Sequence, residues 1–92
     1  MPFEWHEGKR LLNIEERGID FVDVIPLFAN PDAVSFEDTR KDYGETRYIL
    51  LCPVRGLLFQ VAYTVRGENI RIISARRGNK RERRLYAQRK ND

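Results

Sequence analysis

Residues 70–86, IRIISARRGNKRERRLY, decide how this chain folds. Residues 70–75 are rich in β-branched side chains and lie between two turn-forming segments, which predicts a strand. Asn79 is followed three residues later by Glu82. This is the spacing of a capping box, in which Asn79 caps a helix and the Glu82 carboxylate reaches back to the N–H of the cap residue. The segment is therefore predicted to pass from a strand almost directly into a short helix.

The same segment concentrates positive charge. Residues 71–92 hold nine Lys or Arg and two Asp or Glu, a net charge of +7, whereas residues 1–70 hold eight and twelve, a net charge of −4. Guanidinium groups bind phosphate through two parallel hydrogen bonds, so clustered arginines beside a rigid strand suit a polyanion such as RNA. A basic run is also typical of a solvent-exposed helix face or tail, and this alternative stays open.

Composition limits the classes of protein to which this chain can belong. Ninety-two residues, 41% hydrophobic and 34% charged, are typical of one small globular domain, here residues 1–92. No apolar run reaches the ~20 residues of a membrane span, and the start is not typical of a signal peptide. The single cysteine, Cys52, leaves neither an internal disulfide nor a zinc-binding cluster. We therefore expect a cytoplasmic protein that needs no metal or cofactor and does not contact a membrane.

The N-terminal third is predicted to hold two helices after an extended lead-in, residues 1–6, in which Trp5 is assigned to the core rather than to base stacking. The first helix spans residues 7–17 and ends at Gly18, a residue that tolerates the left-handed C′ conformation. The second spans residues 19–28, with Asp20 as its cap and with Pro26 expected to kink or end it.

The first helix has two distinct sides. Leu11, Leu12 and Ile14 supply an apolar stripe, as expected of a helix that packs on a core. Lys9, Asn13 and Arg17 follow one another at intervals of four residues and share a polar face. That face is either solvent-exposed or a polar ridge that faces the same phosphate groove as the C-terminal arginines.

Four strands follow, at residues 34–36, 47–52, 57–65 and 70–75. Short turns join the last three, which predicts an antiparallel meander. On the last strand, strict alternation places Ile72 and Ser74 on one face and Ile73 and Ala75 on the other. The predicted fold is α+β, with two N-terminal helices, a four-stranded antiparallel sheet and a C-terminal helix.

Two blocks of sequence carry a family resemblance. The first is FEWHEGKRLLNIEERGIDF near the start, and the second is RIISARR followed by RERRLY near the end. Together they resemble the BrnT family of bacterial type II toxins, over essentially the whole chain. The resemblance implies a RelE-like fold and a ribonuclease that inhibits translation. It also implies neutralisation by a BrnA-like antitoxin with a ribbon-helix-helix region, and operator DNA binding only through the toxin–antitoxin complex.

Many positions match the family pattern in residue type: Trp5, Lys9, Asn13, Gly18, Phe21, Arg47, Arg71, Ser74, Ala75, Arg76, Arg77, Glu82, Arg83 and Tyr86. Two positions differ from it. His6 stands where Asp is common, and Glu16-Arg17 stands where Lys-His is common. If that histidine acts as an acid or base in relatives, this chain uses other groups.

Metal-independent RNA cleavage needs a base for the 2′-hydroxyl, an acid for the leaving 5′-oxygen and cations for the phosphorane. The residues expected to carry the chemistry are Arg71, Arg76, Tyr86, His6 and Lys9. The residues expected to bind RNA are Arg77, Lys80, Arg83, Arg47 and Asn13. His6 is equally typical of an exposed surface residue, and Tyr86 of a core residue that docks the last helix on the sheet.

Two functions therefore remain. One is a toxin ribonuclease that an antitoxin holds inactive. The other is a non-catalytic module that uses the same basic surface to bind nucleic acid or an acidic partner, with a steep dependence on salt.

Overall fold

The computed structural model describes residues 2–91. Three helices and five strands follow one another in the order β1 (Phe3–Trp5), α1 (Glu7–Arg17), α2 (Phe21–Val24), a 3₁₀ turn (Ile25–Ala29), β2 (Val34–Glu37), β3 (Tyr48–Val54), β4 (Leu57–Arg66), β5 (Asn69–Arg77) and α3 (Lys80–Lys90). This confirms an α+β fold with three helices. The second helix, predicted over residues 19–28, is shorter: its α-helical part is Phe21–Val24, and a 3₁₀ turn follows from Ile25. No helix in this part of the chain is long and apolar enough to cross a bilayer.

The sheet differs from the prediction because it has five strands and is mixed. Its order is β1-β5-β4-β3-β2, and β1 runs parallel to β5 while the other neighbours are antiparallel. The lead-in was predicted to be extended and was not counted among the strands of the sheet, and three residues of it form the extra edge strand. A strand of three residues is too short to show an alternation of apolar and polar side chains. Its partner β5 is also far away in sequence, beyond both helices and two strands of the meander, so the sequence gives no sign of the pairing.

Both faces of the sheet are covered. Phe21, Val24 and Leu27 pack with Val61 and Ile72 in the larger core cluster, on the side of α2 and the 3₁₀ turn. The smaller cluster, on the α3 side, joins Ile49, Leu51 and Leu58 to Leu85 and Tyr86. Trp5 packs against the larger cluster with its ring centroid 6.1 Å from that of Phe21, which confirms its predicted place in the core.

A bulge in β5 corrects the predicted side-chain alternation. Ala62 pairs with Ser74, and Tyr63 then pairs with Ile72, so Ile73 has no partner on β4. The extra residue turns Ala75 to the same face as Ile72, and both are buried in the larger cluster. The prediction that placed these two residues on opposite faces was wrong because strict alternation cannot anticipate a bulge.

Helix α1 is inverted relative to a normal amphipathic helix. Its buried residue is Asn13, whereas Leu11, Leu12 and Ile14 are 53%, 50% and 37% exposed. The expectation that the apolar stripe faces a core was therefore wrong. The polar side of the helix packs on β5 instead.

The reason for the inversion is a set of hydrogen bonds to backbone. Asn13 Nδ2 donates to the carbonyl of Ala75 at 3.0 Å, and Asn13 Oδ1 accepts from the N–H of Ala75 at 3.1 Å. The same amide also donates to the carbonyl of Ile19 at 2.8 Å. Strand β1 pairs only with residues 70–72, so the Asn13 side chain replaces a neighbouring strand for the next part of the β5 edge.

We predict that Asn13→Ala lowers the free energy of unfolding by about 1–3 kcal/mol, because it leaves buried backbone groups of Ala75 and Ile19 unpaired. Leu11→Ala, on the opposite side of the same helix, is the matched control and should change that free energy by less than about 0.5 kcal/mol. Denaturant titration of both variants measures the difference. A larger loss for Leu11→Ala than for Asn13→Ala would contradict the inverted packing.

Candidate active site

A pocket lined by cationic side chains lies at the end of the sheet where β3 begins, β4 ends and β5 begins. We call it the cation pocket; its volume is about 140 Å³, and it is lined by His6, Lys9, Glu45, Arg47, Arg66, Arg71, Ile72 and Ile73. Four of these residues, His6, Lys9, Arg47 and Arg71, are sites that the sequence predicted. The fold brings them together from the start of α1, the residue before β3, and β5.

The arginines of the pocket are held in place by carboxylates. Arg71 donates to Glu4 on the neighbouring strand β1 at 2.6 Å, and Glu45 accepts from Arg47 at 3.1 Å and lies 3.5 Å from Arg66. Hydrogen bonds from Arg47 above all lower the pKa of the Glu45 carboxyl below its ordinary value. Asn69 and Arg71 do the same for the pKa of Glu4. Both carboxylates are therefore ionised at neutral pH.

His6 stands at the boundary between β1 and α1 and caps the helix. Its Nδ1 accepts a hydrogen bond from the backbone N–H of Lys9 at 3.3 Å. In the neutral ring this places the proton on Nε2. A protonated ring could not accept this bond, and its charge would stand at the positive end of the helix dipole.

Gly8 gives the imidazole its room. A Cβ atom at position 8 would stand 2.9 Å from Cε1 and 3.2 Å from Nδ1 of His6. Side chains do not tolerate so close an approach, so any larger residue there would displace the ring. The glycine in the first turn of α1 thus fixes where His6 sits.

The remaining predicted residues lie outside this pocket. Arg76 is at the other end of β5 from Arg71, about 16 Å away at ~3.3 Å per residue. Arg77 is exposed, with its guanidinium 6.0 Å from the centre of the Phe59 ring, and Lys80 and Arg83 are exposed on α3. The clustering of arginines in the sequence had suggested that the basic segment converges on one phosphate-binding pocket. The structure shows instead that only Arg71 of this segment lines the cation pocket.

Arg76 serves to fix α3. Its two terminal nitrogens donate to the two oxygens of Glu82, each at 2.8 Å. Glu82 also accepts from the N–H of Asn79 at 2.9 Å and from Gln60 Nε2 at 3.3 Å, and the Asn79 side chain accepts from the N–H of Glu82. The predicted capping box is confirmed, and its carboxylate is tied to the sheet as well.

Two further predicted residues have their polar groups engaged elsewhere. Tyr86 donates its hydroxyl to the carbonyl of Asp32 at 2.6 Å and packs in the smaller core cluster, and burial raises the pKa of its phenol. Its docking role matches the alternative that the sequence left open. Asn13 uses both amide hydrogens and its oxygen on backbone groups, as described above.

Two residues of the cation pocket were missed by sequence reasoning. Glu45 lies in a segment interpreted only as a polar loop, and Arg66 in one interpreted only as a turn. The predicted hairpin could have pointed to Arg66. In its register Arg66 pairs with Asn69 and Thr64 pairs with Arg71, so the two arginines lie diagonally across neighbouring strands. Nothing in the sequence pattern pointed to Glu45.

Charge balance distinguishes the cation pocket from a second polar cavity, which lies beside α3. A cavity of about 190 Å³ between α3 and β2 is lined by three arginines and three carboxylates: Arg40, Arg81, Arg89, Glu37, Asp38 and Glu82. The cation pocket has four Lys or Arg side chains against one carboxylate in its lining. The cation pocket is thus the better match to an anion. Among residues 2–91 no three His, Cys, Asp or Glu side chains come together as a metal site requires.

Comparison of the sequence with models of known protein families identifies the family of this chain. The family model described as the ribonuclease toxin BrnT of type II toxin-antitoxin systems matches residues 5–82. This confirms the resemblance seen in the two sequence blocks. A search of the curated proteins finds no match to the chain.

We predict that the buried Glu82 carboxylate makes the free energy of unfolding fall at acidic pH. Burial alone would raise its pKa, but hydrogen bonds from Arg76 and from the N–H of Asn79 outweigh burial and lower the pKa below its ordinary value of 4.5. The unfolded chain therefore takes up this proton first, so the stabilisation is fully present above pH 4.5 and is lost as pH falls through the lowered pKa.

The measurement is the free energy of unfolding of the wild type and of Glu82→Gln, taken at several pH values. The advantage of the wild type should shrink steadily below pH 4.5, the ordinary value for Glu82. An advantage that stayed constant with acidification would show that the carboxylate has no lowered pKa in the folded state.

Proposed function

We propose a mechanism of RNA cleavage from the premise that this chain belongs to the BrnT family, the ribonuclease toxins of type II toxin–antitoxin systems. In this proposal the cation pocket binds the scissile phosphate. The observation that carries it is the convergence of Lys9, Arg47, Arg66 and Arg71 on one small concave surface. Arg66 and Arg71 lie on neighbouring strands, Arg47 directly precedes another strand, and Lys9 lies on a helix. The fold, and not local sequence, therefore brings these four side chains together.

Phosphate binding follows from the geometry of the arginines. Each guanidinium has five N–H donors in a planar fork, and its carboxylate partner uses only some of them. Glu4 and Glu45 therefore orient Arg71 and Arg47 before RNA arrives and leave donors free for the phosphate oxygens. Preoriented donors are worth more in the transition state than mobile ones because they need no reorganisation during the reaction.

The reaction that suits this pocket is attack of the RNA 2′-hydroxyl on its own phosphate. The O2′–P bond forms and the P–O5′ bond breaks, which leaves a 2′,3′-cyclic phosphate and a 5′-hydroxyl. In our proposal Glu45 takes the proton from the 2′-hydroxyl, since it is the carboxylate in the pocket lining. The ammonium of Lys9 gives a proton to O5′, and the arginines stabilise the charge on the phosphorane.

In this scheme His6 donates a hydrogen bond and does not act as an acid or a base. Because Nδ1 accepts from the N–H of Lys9, the neutral ring presents Nε2–H as a donor. We propose that this donor binds a non-bridging phosphate oxygen. Gly8, by leaving space for the ring, positions that donor.

The exposed basic residues of α3 contribute binding more than chemistry. Lys80, Arg83 and Arg84 are exposed, and no carboxylate in residues 2–91 forms an ion pair with them. In this proposal they contact backbone phosphates away from the cleaved one, which adds salt-dependent affinity. Arg77, exposed at the end of β5, belongs to the same group.

Family membership also supports the finer predictions about partners and place. These are a BrnA-like antitoxin with a ribbon-helix-helix region, operator DNA reached only through the toxin–antitoxin complex, inhibition of translation, and action in the cytoplasm. All of them remain proposals for this chain.

The test of the proposed site compares a pocket arginine with an arginine of α3. Arg71→Gln should lower the cleavage rate of a single-stranded RNA by about 10²–10³-fold, the typical cost of one transition-state donor. Arg83→Gln should lower cleavage less than about tenfold, with most of the loss recovered at low salt. Initial rates of cleavage at two salt concentrations, without added metal, measure both effects.

The opposite ranking would contradict the site. If Arg83→Gln abolished cleavage while Arg71→Gln retained it, the phosphate would have to bind at α3. If the wild type bound RNA with the same salt dependence but left every phosphodiester intact, the non-catalytic module would be the better description of this surface.

A second prediction separates the two roles of His6. Asn is among the best helix caps, so His6→Asn keeps an acceptor for the N–H of Lys9 and removes the ring N–H. His6→Ala removes both and should cost about 1 kcal/mol of stability. We expect both variants to cleave RNA about tenfold or more slowly than the wild type, with only His6→Ala less stable. Full activity in His6→Asn would restrict His6 to capping.

A further inference from the structure

The outer side of α1 is an aliphatic surface with no partner in the described chain. We call Leu11, Leu12 and Ile14 of α1 the α1 face; Val22, at the start of α2, is exposed as well. These side chains are 53%, 50%, 37% and 49% exposed. Single exposed aliphatic residues are ordinary, but four of them on two successive helices of a 92-residue chain indicate a contact surface.

The fold cannot turn this surface inward. Asn13 on the opposite side of α1 is 8% exposed and makes three hydrogen bonds with the backbone of Ile19 and Ala75. Rotating α1 to bury its leucines would break all three and expose the edge of β5. The chain therefore gains its stability with the aliphatic side outward, and only another molecule can cover that side.

We propose that the α1 face is where the antitoxin docks. The proposal rests on the family assignment and not on the chemistry suggested for the cation pocket. The occupant is a segment of the antitoxin that presents aliphatic side chains to Leu11, Leu12 and Ile14, and a Lys or Arg to Glu15. Glu15 lies one helical turn after Leu11 and Leu12, is exposed, and forms no ion pair within residues 2–91.

Charge and side-chain type argue against the other two occupants. RNA is disfavoured because the α1 face holds no aromatic side chain for base stacking, and the carboxylates of Glu15 and Glu16 repel phosphates. A second copy of the chain is disfavoured because a two-fold contact uses the same patch on both copies, and the α1 face supplies no Lys or Arg to pair with Glu15. An antitoxin with a complementary cation meets neither difficulty.

The position of the face also explains how docking would stop the enzyme. Leu12 lines a groove of about 290 Å³ together with Lys9 and Ile73. Lys9 and Ile73 also line the cation pocket, so the groove and the pocket are neighbours. A segment lying along α1 would pass beside Lys9 and block the approach of RNA to the pocket without having to occupy it.

The experiment measures antitoxin affinity of surface variants. The probe is a purified antitoxin that neutralises this toxin when the two are co-expressed, and it is titrated into the toxin. Leu11→Gln combined with Ile14→Gln should weaken its Kd by about tenfold or more, as expected when central aliphatic contacts are lost. Val65→Gln, an equally exposed aliphatic residue on β4, is the control and should change Kd by less than about threefold.

Charge reversal tests the second part of the proposal. Glu15→Lys should weaken the Kd for the antitoxin, with a larger effect at low salt, whereas Glu68→Lys in the β4–β5 turn should not. If the double glutamine variant does not fold, Leu11→Ala with Ile14→Ala makes the same test with a smaller change.

Each alternative result overturns the proposal in its own way. An unchanged Kd for the double variant places the antitoxin elsewhere. A wild-type dimer that dissociates on the same substitutions assigns the face to a second copy. A loss of RNA affinity assigns it to RNA. The rate of RNA cleavage without antitoxin should be unchanged in the double variant, so a failure of the proposed chemistry would appear separately, as inactivity of the wild type.

Discussion

Two hydrogen bonds between the Asn13 side chain and the backbone of Ala75 set the arrangement on which the rest of the structure depends. A free strand edge must be paired, covered or solvated, and here a helix covers it with an amide that mimics a strand. The bond fixes α1 beside β5, so the start of the helix brings His6 and Lys9 to the cation pocket. The cost is an aliphatic surface facing water. The position of α1, the assembly of the cation pocket and the outward aliphatic surface thus follow from one polar contact.

The basic C-terminal segment has two separate tasks. Arg71 works at one end of β5 and Arg76 at the other, where Glu82 holds it in a bidentate pair. Because Glu82 is also the N3 residue of the α3 capping box, the same carboxylate binds the N–H of Asn79 at the start of the helix and ties the helix to the sheet. A buried pair of this kind is costly to break from one side, since the remaining charge loses its partner. Arg76 is therefore conspicuous in sequence for its charge but acts in the structure as an anchor.

Most of the secondary structure could be predicted from the sequence, but the contacts between residues far apart in the chain could not. Helix α1, the capping box at Asn79 and the three-strand meander were predicted because their signals are local. The edge strand β1 was missed because a three-residue strand has no period, and the faces of β5 were misassigned because the bulge at Ile73 breaks alternation. For the candidate site, residue type singled out His6, Lys9, Arg47 and Arg71, which the fold brings to one pocket. It could not show that Arg76 is paired, or that Glu45 comes from a loop to join them, since both depend on tertiary contacts.

The central claim is that the scissile phosphate binds in the cation pocket and not along α3. The most direct measurement is an NMR titration of the toxin with an RNA dinucleotide that carries a 2′-deoxy group at the cleaved position and so cannot react. The account predicts the largest shifts at the guanidinium signals of Arg47, Arg66 and Arg71 and at the ring of His6, the single histidine of the chain. Shifts confined to Arg81, Arg83 and Arg84, with the ring of His6 unmoved, would contradict it.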